Sequence, residues 1–410
     1  MDNKIILCSQ LFDPASCTVR RDAAILIRGD KVEEVRPRAS LAEMPAGYEV
    51  IDLGDLFVTP GLIDTHTHLG LSGQPNPGTT RPRETIGDWT LTGLKNAQAD
   101  LMAGFTSLRI CGDRSFISEA IRDSVNRGEH IGPRLMTCGQ YIGTTGSHAD
   151  DSYSPYLSDP GLADFIADGV DGILRAARYN VKHGCNFIKF MSTGGIMSPG
   201  TTVGMQQMTY EEMRAACQVA EMYGMTSATH AHGTAAIKDA VRAGVTSIEH
   251  GTTLDREGVE MMAERGTVLV PTLVAIDRIV SHGGTAGLPI WAIEKAKAVR
   301  EQHKSSLRLA LELGIPIAFG TDTGTPFNYH GQQALEFRLM AECGMAPEKA
   351  LASATLGAAR LMRWDHQVGS VEAGKFADIA AFSGDPLKNP DDYRNCTFVM
   401  KGGQICRRDA

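Results

Sequence analysis

The feature that most restricts the fold is a unit that recurs through the middle of the chain. A helix-like segment ends in glycine and a short apolar run follows at once, at residues 103–109, 183–189, 223–229, 243–249, 265–270 and 313–319. Glycine supplies the left-handed turn that ends a helix, and a continuous apolar run suits a strand that is buried on both faces. The unit therefore predicts helices that alternate with parallel strands.

Eight candidate strands result when the apolar run before His66 and residues 133–138 are added. Eight parallel strands with helices between them, over about 300 residues, predict an α/β protein with a closed (β/α)8 TIM barrel. A doubly wound open sheet is the alternative. Neither a G-x-G-x-x-G motif nor a P-loop occurs in the first strand–helix turn, which disfavours the nucleotide-binding form of that alternative.

Both ends of the chain differ from this middle, because they consist of short β-prone runs. Residues 23–35 form two such runs around Gly29-Asp30, and residues 48–53, 374–382 and 396–405 have the same character. Chain ends often lie close together in a domain. We therefore expect a small β-sandwich domain built from both termini, residues 1–58 and 366–410, beside a barrel at residues 59–365.

Composition excludes several functional classes. No apolar run approaches the ~20 residues of a membrane helix, and the N-terminus lacks a basic region followed by a long apolar one. A net charge of -8 disfavours a nucleic-acid surface, and nine cysteines without a C-x-x-C pair fit reduced, buried thiols. We expect a cytoplasmic protein with no nucleic-acid or membrane partner, in which His, Asp, Glu or a less usual ligand holds any metal.

Residues able to bind metal follow or end five of the predicted strands. His66 and His68 come two residues apart after the first strand, so both imidazoles face the same side of an extended backbone. A barrel brings the C-terminal ends of its strands to one face, where active sites lie. The other candidates in this register are Lys189, His230, His250 and Asp322. Each of these residues alone could have an ordinary structural role, such as that of a buried core histidine. Their shared position at the ends of predicted strands favours a metal site.

Lys189 is unusual because its amine lies in a strand between apolar side chains. Burying a charged amine costs free energy unless the amine is neutralised, modified or paired. His230 and His232 are two residues apart, so both can face the barrel interior, and spacing alone does not choose between them.

These motifs together resemble those of the amidohydrolase superfamily, and the resemblance covers nearly the whole chain. The matching segments are residues 60–68, 188–189, 229–233, 248–251, 320–322 and 369–379. The resemblance implies the same barrel with a β-sandwich and two divalent metal ions, usually zinc. It implies that His66, His68 and Asp322 hold one ion, that His230 and His250 hold the other, and that Lys189, carboxylated by carbon dioxide, bridges them. His232 is left with a supporting or structural role.

The implied reaction is hydrolysis of a C–N amide bond by a hydroxide that bridges the two metals. Asp322 would act first as general base and then as general acid. The loop at residues 144–148 resembles that of the prolidase-like and imidazolonepropionase-like branch, which implies that His148 contacts the scissile carbonyl. This branch implies small-molecule substrates: dipeptides, as in Xaa-Pro and Xaa-Arg dipeptidases, or N-acyl amino acids, with release of the C-terminal amino acid.

A substrate of this kind needs a cation for its carboxylate. Arg81 and Arg83, in the Gly- and Pro-rich loop after the first strand, are candidates, and Tyr329 and His330 after the eighth strand are expected at the mouth of the site with His232 nearby. The remaining histidines are expected on the surface: His130, His183, His282, His303 and His366.

Two further hypotheses for the activity would use the same metal site. One is hydrolysis of a cyclic amide or imidazolone ring, and the other is hydrolysis of an exogenous aromatic amide of the ochratoxin type. A non-catalytic scaffold of the same fold is the alternative from another class. The complete set of ligands disfavours that scaffold. Because members of this superfamily commonly assemble, we also expect a homo-oligomer.

Overall fold

The first strands of the chain belong to a sheet. They are β1 (Asn3–Asp13), β2 (Thr18–Arg28), β3 (Lys31–Pro37), β4 (Tyr48–Asp52) and β5 (Phe57–Pro60). The computed structural model describes residues 3–41, 46–80, 83–150, 165–284 and 287–409. Strands β2 and β3 form an antiparallel hairpin around Gly29, whose φ is 63°, so the predicted Gly-Asp turn is confirmed.

The next strands form the wall of a barrel. They are β6 (Leu62–Thr67), β7 (Phe105–Ile110), β8 (Arg134–Thr137), β9 (Phe187–Met191), β10 (Thr226–Ala231), β11 (Ser247–His250) and β12 (Val268–Val270). Strands β6 to β8 pair in parallel in sequence order, and so do β9 to β12. A bridge between Ile142 and Phe190 joins the segment after β8 to β9.

An extended segment at residues 315–323 closes the barrel between β12 and β6. Bridges from Leu269 to Ile317 and from Thr67 to Thr323 make this connection. The predicted eighth strand is therefore present in position but is not a regular strand, because Pro316 has no N–H with which to extend a ladder. The (β/α)8 barrel prediction is confirmed.

Helices lie between the strands of the barrel and after its last segment. They are α1 (Pro77–Thr80), α2 (Ile86–Met102), α3 (Ile117–Asn126), α4 (Gly169–Lys182), α5 (Tyr210–Met222), α6 (Thr234–Ala243), α7 (Arg256–Arg265), α8 (Leu273–His282), α9 (Ile290–Leu313), α10 (Ala334–Glu342), α11 (Pro347–Ala352) and α12 (Ala358–Leu361). All six glycines of the recurring unit have the positive φ that was predicted: Gly104, Gly184, Gly224, Gly244, Gly266 and Gly314. In the described part of the chain, no helix is both long and apolar enough to cross a membrane.

The C-terminal strands complete the sheet that the N-terminal strands begin. They are β13 (Ile379–Phe382), β14 (Cys396–Lys401) and β15 (Gln404–Arg408). The order is β15-β14-β13-β5-β1-β2-β3, with β4 on β1, so strands from both termini share one eight-stranded sheet. A separate sheet domain built from both ends is confirmed, although its hydrogen bonding runs through a single sheet. The boundaries at 58/59 and 365/366 stay a prediction.

The junction between sheet and barrel fixes the position of β6. Gly61 separates β5 from β6, its N–H donates to the Asp378 carbonyl at 2.8 Å, and a Cβ at this position would lie 2.0 Å from the Thr106 hydroxyl. One face of the sheet also packs on the barrel helices, because Phe57 and Phe382 belong to the same buried cluster as Leu101. The sheet therefore holds the strand that leads to His66.

Candidate metal centre

A cavity of about 250 Å³ opens at the C-terminal ends of the barrel strands. The six residues predicted to bind metal all line it: His66, His68, Lys189, His230, His250 and Asp322. They come from β6 and the residue after it, from β9, β10 and β11, and from the closing segment, which lie far apart in the sequence. The structure thus brings together the set that the register of strand ends predicts.

His66, His68 and Asp322 form the first group of possible ligands. Asp322 Oδ1 lies 3.5 Å from His66 Nε2 and 3.2 Å from His68 Nε2. The Nδ1 atoms of His66 and His68 donate to Glu249 Oε2 and to the Gly112 carbonyl, each at 2.7 Å. A neutral imidazole that donates through Nδ1 presents the Nε2 lone pair, which is how metal-binding histidines are usually oriented.

The electrostatics of this first group favour a neutral His66 beside an anionic Asp322. Burial lowers the pKa of His66, even though the nearby carboxylates Asp322 and Glu249 act in the opposite direction. Burial alone would raise the pKa of Asp322, but His66 and His68 outweigh it and hold the pKa of this carboxyl below its usual value. The group therefore offers the lone pair of His66 and one carboxylate.

His230, His232 and His250 form the second group. His230 Nδ1 and His250 Nε2 lie 2.8 Å apart, and burial lowers the pKa of all three rings well below the usual value. His250 Nδ1 lies 2.7 Å from the Thr272 hydroxyl, and His230 Nε2 is a buried atom without a hydrogen-bond partner among the described residues. Facing nitrogens on neutral rings suit a shared cation, so this donor set fits a metal ion.

His230 and His232, between which sequence spacing could not choose, have different surroundings. His230 Nδ1 faces the His250 ring, whereas His232 Nδ1 lies 2.6 Å from the Thr252 hydroxyl. The His232 ring stacks on His250 with 4.8 Å between centroids, and His230 meets His250 edge-on at 4.6 Å. This arrangement agrees with His230 as a ligand and His232 as its neighbour.

Lys189 lies in β9 with its side chain fully buried. Its Nζ lies 3.5 Å from Met191 Sδ, and no carboxylate of the described residues forms an ion pair with it. A buried ammonium without a counter-ion is strongly unfavourable. The surroundings of Lys189 therefore suit a modified amine.

Glu249 and Arg109 are functional candidates that the sequence interpretation missed. Arg109 Nη2 donates to Glu249 Oε1 at 2.7 Å, Arg109 Nε donates to the Thr65 carbonyl at 2.6 Å, and both side chains are fully buried. Burial raises the pKa of Glu249, but Arg109 and His66 outweigh it and lower the pKa to about 2. Glu249 is thus an anion that orients His66. The available signals were an arginine in an apolar strand and a glutamate before His250.

Two candidate ligands and a residue that contacts one of them have strained backbone conformations. His250, Asp322 and Thr272 have φ values of 71°, 57° and 51°, in the left-handed region that few non-glycine residues adopt. Thr272 is branched at Cβ, so its conformation is the most unfavourable of the three. Such strain persists where the surroundings impose it, and it is typical of functional sites.

His148 lines the same cavity beside the second group. Its ring stacks on His230 with 4.3 Å between centroids, and its Nδ1 lies 2.6 Å from the Ser198 hydroxyl. Burial, with a smaller contribution from Lys189, lowers the pKa of His148 to about 4. His148 is therefore a neutral ring held over the candidate metal centre, which is where a contact with a scissile carbonyl was predicted.

The structure brings only one of the predicted substrate-binding residues, His232, to the described lining of the cavity. Arg81 lies outside the described residues, while Arg83 is exposed and Tyr329 is 41% exposed, and neither lines the cavity. His330 was expected at the mouth, but its side chain is buried and does not line the cavity. Its Nδ1 lies 2.7 Å from Asp100 Oδ2 and its Nε2 lies 3.0 Å from the Leu71 carbonyl.

His303 also requires a correction, since it was predicted to lie on the surface. It is 2% exposed, and its Nε2 lies 3.0 Å from the His250 carbonyl. The reason is that α9 packs against the barrel on the side of the turn that follows β11. His303 therefore supports the backbone of a candidate ligand.

Comparison with known proteins agrees with this geometry. Residues 57–406 match the model of the Amidohydrolase family. The chain is 30% identical to ochratoxinase from Aspergillus niger over 376 residues, which cover 84% of this chain and 75% of that protein. It is 25% identical to imidazolonepropionase from Geobacillus thermodenitrificans over 430 residues, covering 97% and 91% of the two chains. The crystal structure of a Xaa-Pro dipeptidase with bound methionine superposes with a TM-score of 0.90 at 33% identity, covering 98% of this chain and 99% of that one.

Proposed function

Because the chain belongs to the amidohydrolase family, whose relatives described above hydrolyse C–N bonds, we propose that it is a binuclear metal-dependent amidohydrolase. Its proposed substrates are dipeptides or N-acyl amino acids, from which it releases the C-terminal amino acid. The observation that carries this proposal is the convergence of six candidate ligands on one cavity. Their two groups present neutral imidazoles and a carboxylate to the same space.

Two divalent ions, proposed to be zinc, would be held by His66, His68 and Asp322 and by His230 and His250. Nitrogen and oxygen donors of this kind suit zinc. When bound, the ions supply Lewis acidity, which activates a water molecule and polarises the scissile carbonyl. Carboxylation of Lys189 would convert its buried amine into an anionic oxygen donor between the two groups.

The side chains of the cavity have distinct proposed roles in the reaction. Asp322 takes the proton of the attacking water and delivers it to the leaving nitrogen. His148, neutral and fixed by Ser198, donates a hydrogen bond to the carbonyl oxygen as negative charge develops there. Arg109 and Glu249 keep His66 in the tautomer that presents Nε2. Met191 and other apolar side chains of the lining exclude bulk water.

A second proposed substrate class is an exogenous aromatic amide, favoured by the 30% identity to ochratoxinase and by the apolar part of the lining. Opening of an imidazolone ring has the weaker support of 25% identity to imidazolonepropionase. A non-catalytic scaffold is disfavoured because no candidate ligand is missing from the cavity.

The proposal also covers the domain boundaries, the cellular compartment and the oligomeric state. We place the domains at residues 1–58 and 366–410 for the sheet and 59–365 for the barrel, which agrees with the shared sheet of β1–β5 and β13–β15. Nine unpaired cysteines suit a reducing, cytoplasmic compartment. Exposed apolar side chains such as Ile290 at 77% and Leu91 at 70% suit a homo-oligomer.

Metal analysis and a substrate screen test the proposed function. Purified protein should contain about two divalent ions per chain, and a library of dipeptides, N-acyl amino acids and aromatic amides should yield substrates for the zinc-loaded form. Protein without bound metal that gains no activity from zinc and bicarbonate would overturn the proposal.

Two substitutions test the assigned roles. Lys189→Ala should remove activity, with partial recovery in short carboxylic acids, whereas Lys297→Ala, which removes an exposed helix cation, should change nothing. Asp322→Asn should lose rate to a greater extent than metal content. Near-normal turnover of Lys189→Ala would contradict the bridging role.

A further inference from the structure

The loop at residues 192–207, which we call the β9 loop, holds His148 from one side of the cavity. Ser198 is 5% exposed, and its Oγ lies 2.6 Å from Nδ1 of His148 and accepts a hydrogen bond from the N–H of Gly195 at 3.1 Å. The side chain of Gln207 accepts a hydrogen bond from the backbone N–H of His148 at 2.9 Å. The ring and the backbone of His148 are thus both attached to the same loop.

The contacts of Ser198 select one tautomer of His148. A serine hydroxyl has one proton to donate and two lone pairs with which to accept. One lone pair accepts from Gly195, and among the described residues the only acceptor for the Ser198 proton is Nδ1 of His148. When the hydroxyl donates to Nδ1, the ring carries its own proton on Nε2. Nε2 is then the atom that can donate a hydrogen bond to a substrate carbonyl.

Gly195 brings the backbone of the β9 loop against the rings of the site. A Cβ on Gly195 would lie 2.9 Å from Cε1 of His148 and 3.0 Å from Cε1 of His230. These two rings stack with 4.3 Å between their centroids. The packing leaves little space between loop and ring, so a displacement of the loop would change the contact between Ser198 and Nδ1.

Lys295 attaches the β9 loop to α9 at the same residue that contacts His148. Its Nζ donates to the Ser198 carbonyl at 2.6 Å, across 97 residues of sequence, and lies 5.1 Å from the centre of the Trp291 ring. A hydrogen bond from a charged donor is roughly twice as strong as one between neutral groups. The ammonium of Lys295 therefore holds the backbone of Ser198 in place.

Apolar packing ties the β9 loop to the same helix. Ile196 belongs to one buried cluster with Ala292 and Ala296 of α9. The hydrophobic effect is not directional, whereas a hydrogen bond has a preferred geometry. The apolar contacts thus keep the loop against α9, and Lys295 supplies the directional part of the attachment.

We propose that Lys295 is a positioning residue that acts through Ser198, which orients His148 and keeps the ring proton on Nε2. This inference rests on the proposed function, in which His148 donates to the carbonyl oxygen as charge develops. It extends the arrangement to α9, which contributes no residue to the described lining of the cavity. Because Lys295 acts without contacting the substrate, its loss should lower kcat and leave KM nearly unchanged.

Kinetics of the zinc-loaded protein with N-benzoyl-L-phenylalanine test this role. Lys295→Met should lower kcat about 10-fold and change KM by less than about threefold, because the donor to the developing oxyanion is misplaced without being removed. Lys295→Arg should recover most of kcat, since a guanidinium can donate to the same carbonyl. Lys297→Met removes an exposed cation from the same helix and should match the unmodified protein.

A double-mutant cycle separates positioning from a general loss of stability. If Lys295 acts through Ser198, Lys295→Met should cause no further loss of kcat in the Ser198→Ala protein, where no hydroxyl is left to position. Losses that multiply in the double variant would overturn the inference, and so would a normal kcat for Lys295→Met.

Nitrogen NMR of protein with isotope-labelled histidine needs no turnover, so it separates this inference from the proposed function. The signals that disappear in His148→Gln identify this ring. In the purified protein Nε2 of His148 should carry the proton, whereas Ser198→Ala and Lys295→Met should show the form protonated on Nδ1, and Lys297→Met should not. If nothing is hydrolysed but this change is present, the proposed function fails and the positioning role stands. An unchanged tautomer in both variants would overturn the inference.

Discussion

The buried pair of Arg109 and Glu249 allows a sharp test of how this site is held together. Glu249→Gln keeps the shape of the side chain but removes the charge that Arg109 Nη2 and His66 Nδ1 contact, each at 2.7 Å. The substitution leaves a fully buried guanidinium without its counter-ion. Breaking a buried pair in this way costs about 3–5 kcal/mol in the free energy of unfolding.

The pKa of Glu249 gives a second, independent value for the contribution of this carboxylate to the free energy of unfolding. Burial raises it, but Arg109 and His66 lower it overall from 4.5 to about 2, which corresponds to roughly 3 kcal/mol of stability at neutral pH. Because the folded-state pKa is below the unfolded one, this contribution is present above about pH 4.5 and is lost as the pH falls toward about 2. The two magnitudes agree, so we expect a loss of about 3–4 kcal/mol at neutral pH.

Urea unfolding at neutral pH measures the loss, with Glu129→Gln as the matched control. Glu129 contacts Arg127 at 2.8 Å, but both side chains are more than half exposed, so this loss should be below about 1 kcal/mol. Glu249→Gln should also bind zinc about 10- to 100-fold more weakly, because His66 loses the partner that orients it. A Glu249→Gln protein as stable as the control, with unchanged zinc affinity, would refute the reasoning.

Three other outcomes are expected. Gly61→Ala should lower the free energy of unfolding by about 1–3 kcal/mol, because its Cβ would lie 2.0 Å from the Thr106 hydroxyl, and Thr106→Ala should restore part of it in urea titrations. Burial raises the pKa of Glu336 from 4.5 to about 8, so folding takes up a proton and stability falls as the pH rises between these values. Glu336→Gln should flatten the fall in unfolding free energy between about pH 5 and pH 8, and an unchanged slope would contradict this assignment. Thr272→Val removes the hydroxyl that lies 2.7 Å from His250 Nδ1, and titration should show about 10-fold weaker zinc binding, whereas unchanged affinity would make this contact dispensable.

The sequence predicts the barrel and the candidate ligands because the signals are local. A glycine followed by an apolar run specifies a helix end and a buried strand, and the barrel then brings all strand ends to one face. His66, His230 and His250 could be placed in one cavity by register alone, as the structure shows. The irregular eighth segment was less predictable: it joins its neighbours only through isolated bridges, and Pro316 has no N–H for a ladder.

The contacts between distant strands could not be predicted in the same way. Arg109 lies in β7 and Glu249 in β11, which are not neighbours in the barrel, so their ion pair depends on the closed structure. The turn after β7 has positive φ at Ser115 and Phe116, which their residue types do not favour.

The pairing of β5 with β13 has a consequence for how the chain folds during its synthesis. Val58 lies opposite Ala381, so the sheet domain cannot be completed until the ribosome has made the last strands of that sheet. Strand β5 keeps an unpaired edge throughout translation of the barrel, and pairings between residues so distant in sequence form slowly. An unpaired edge can join the wrong chain, so nascent chains that stop before β13 should aggregate or require a chaperone.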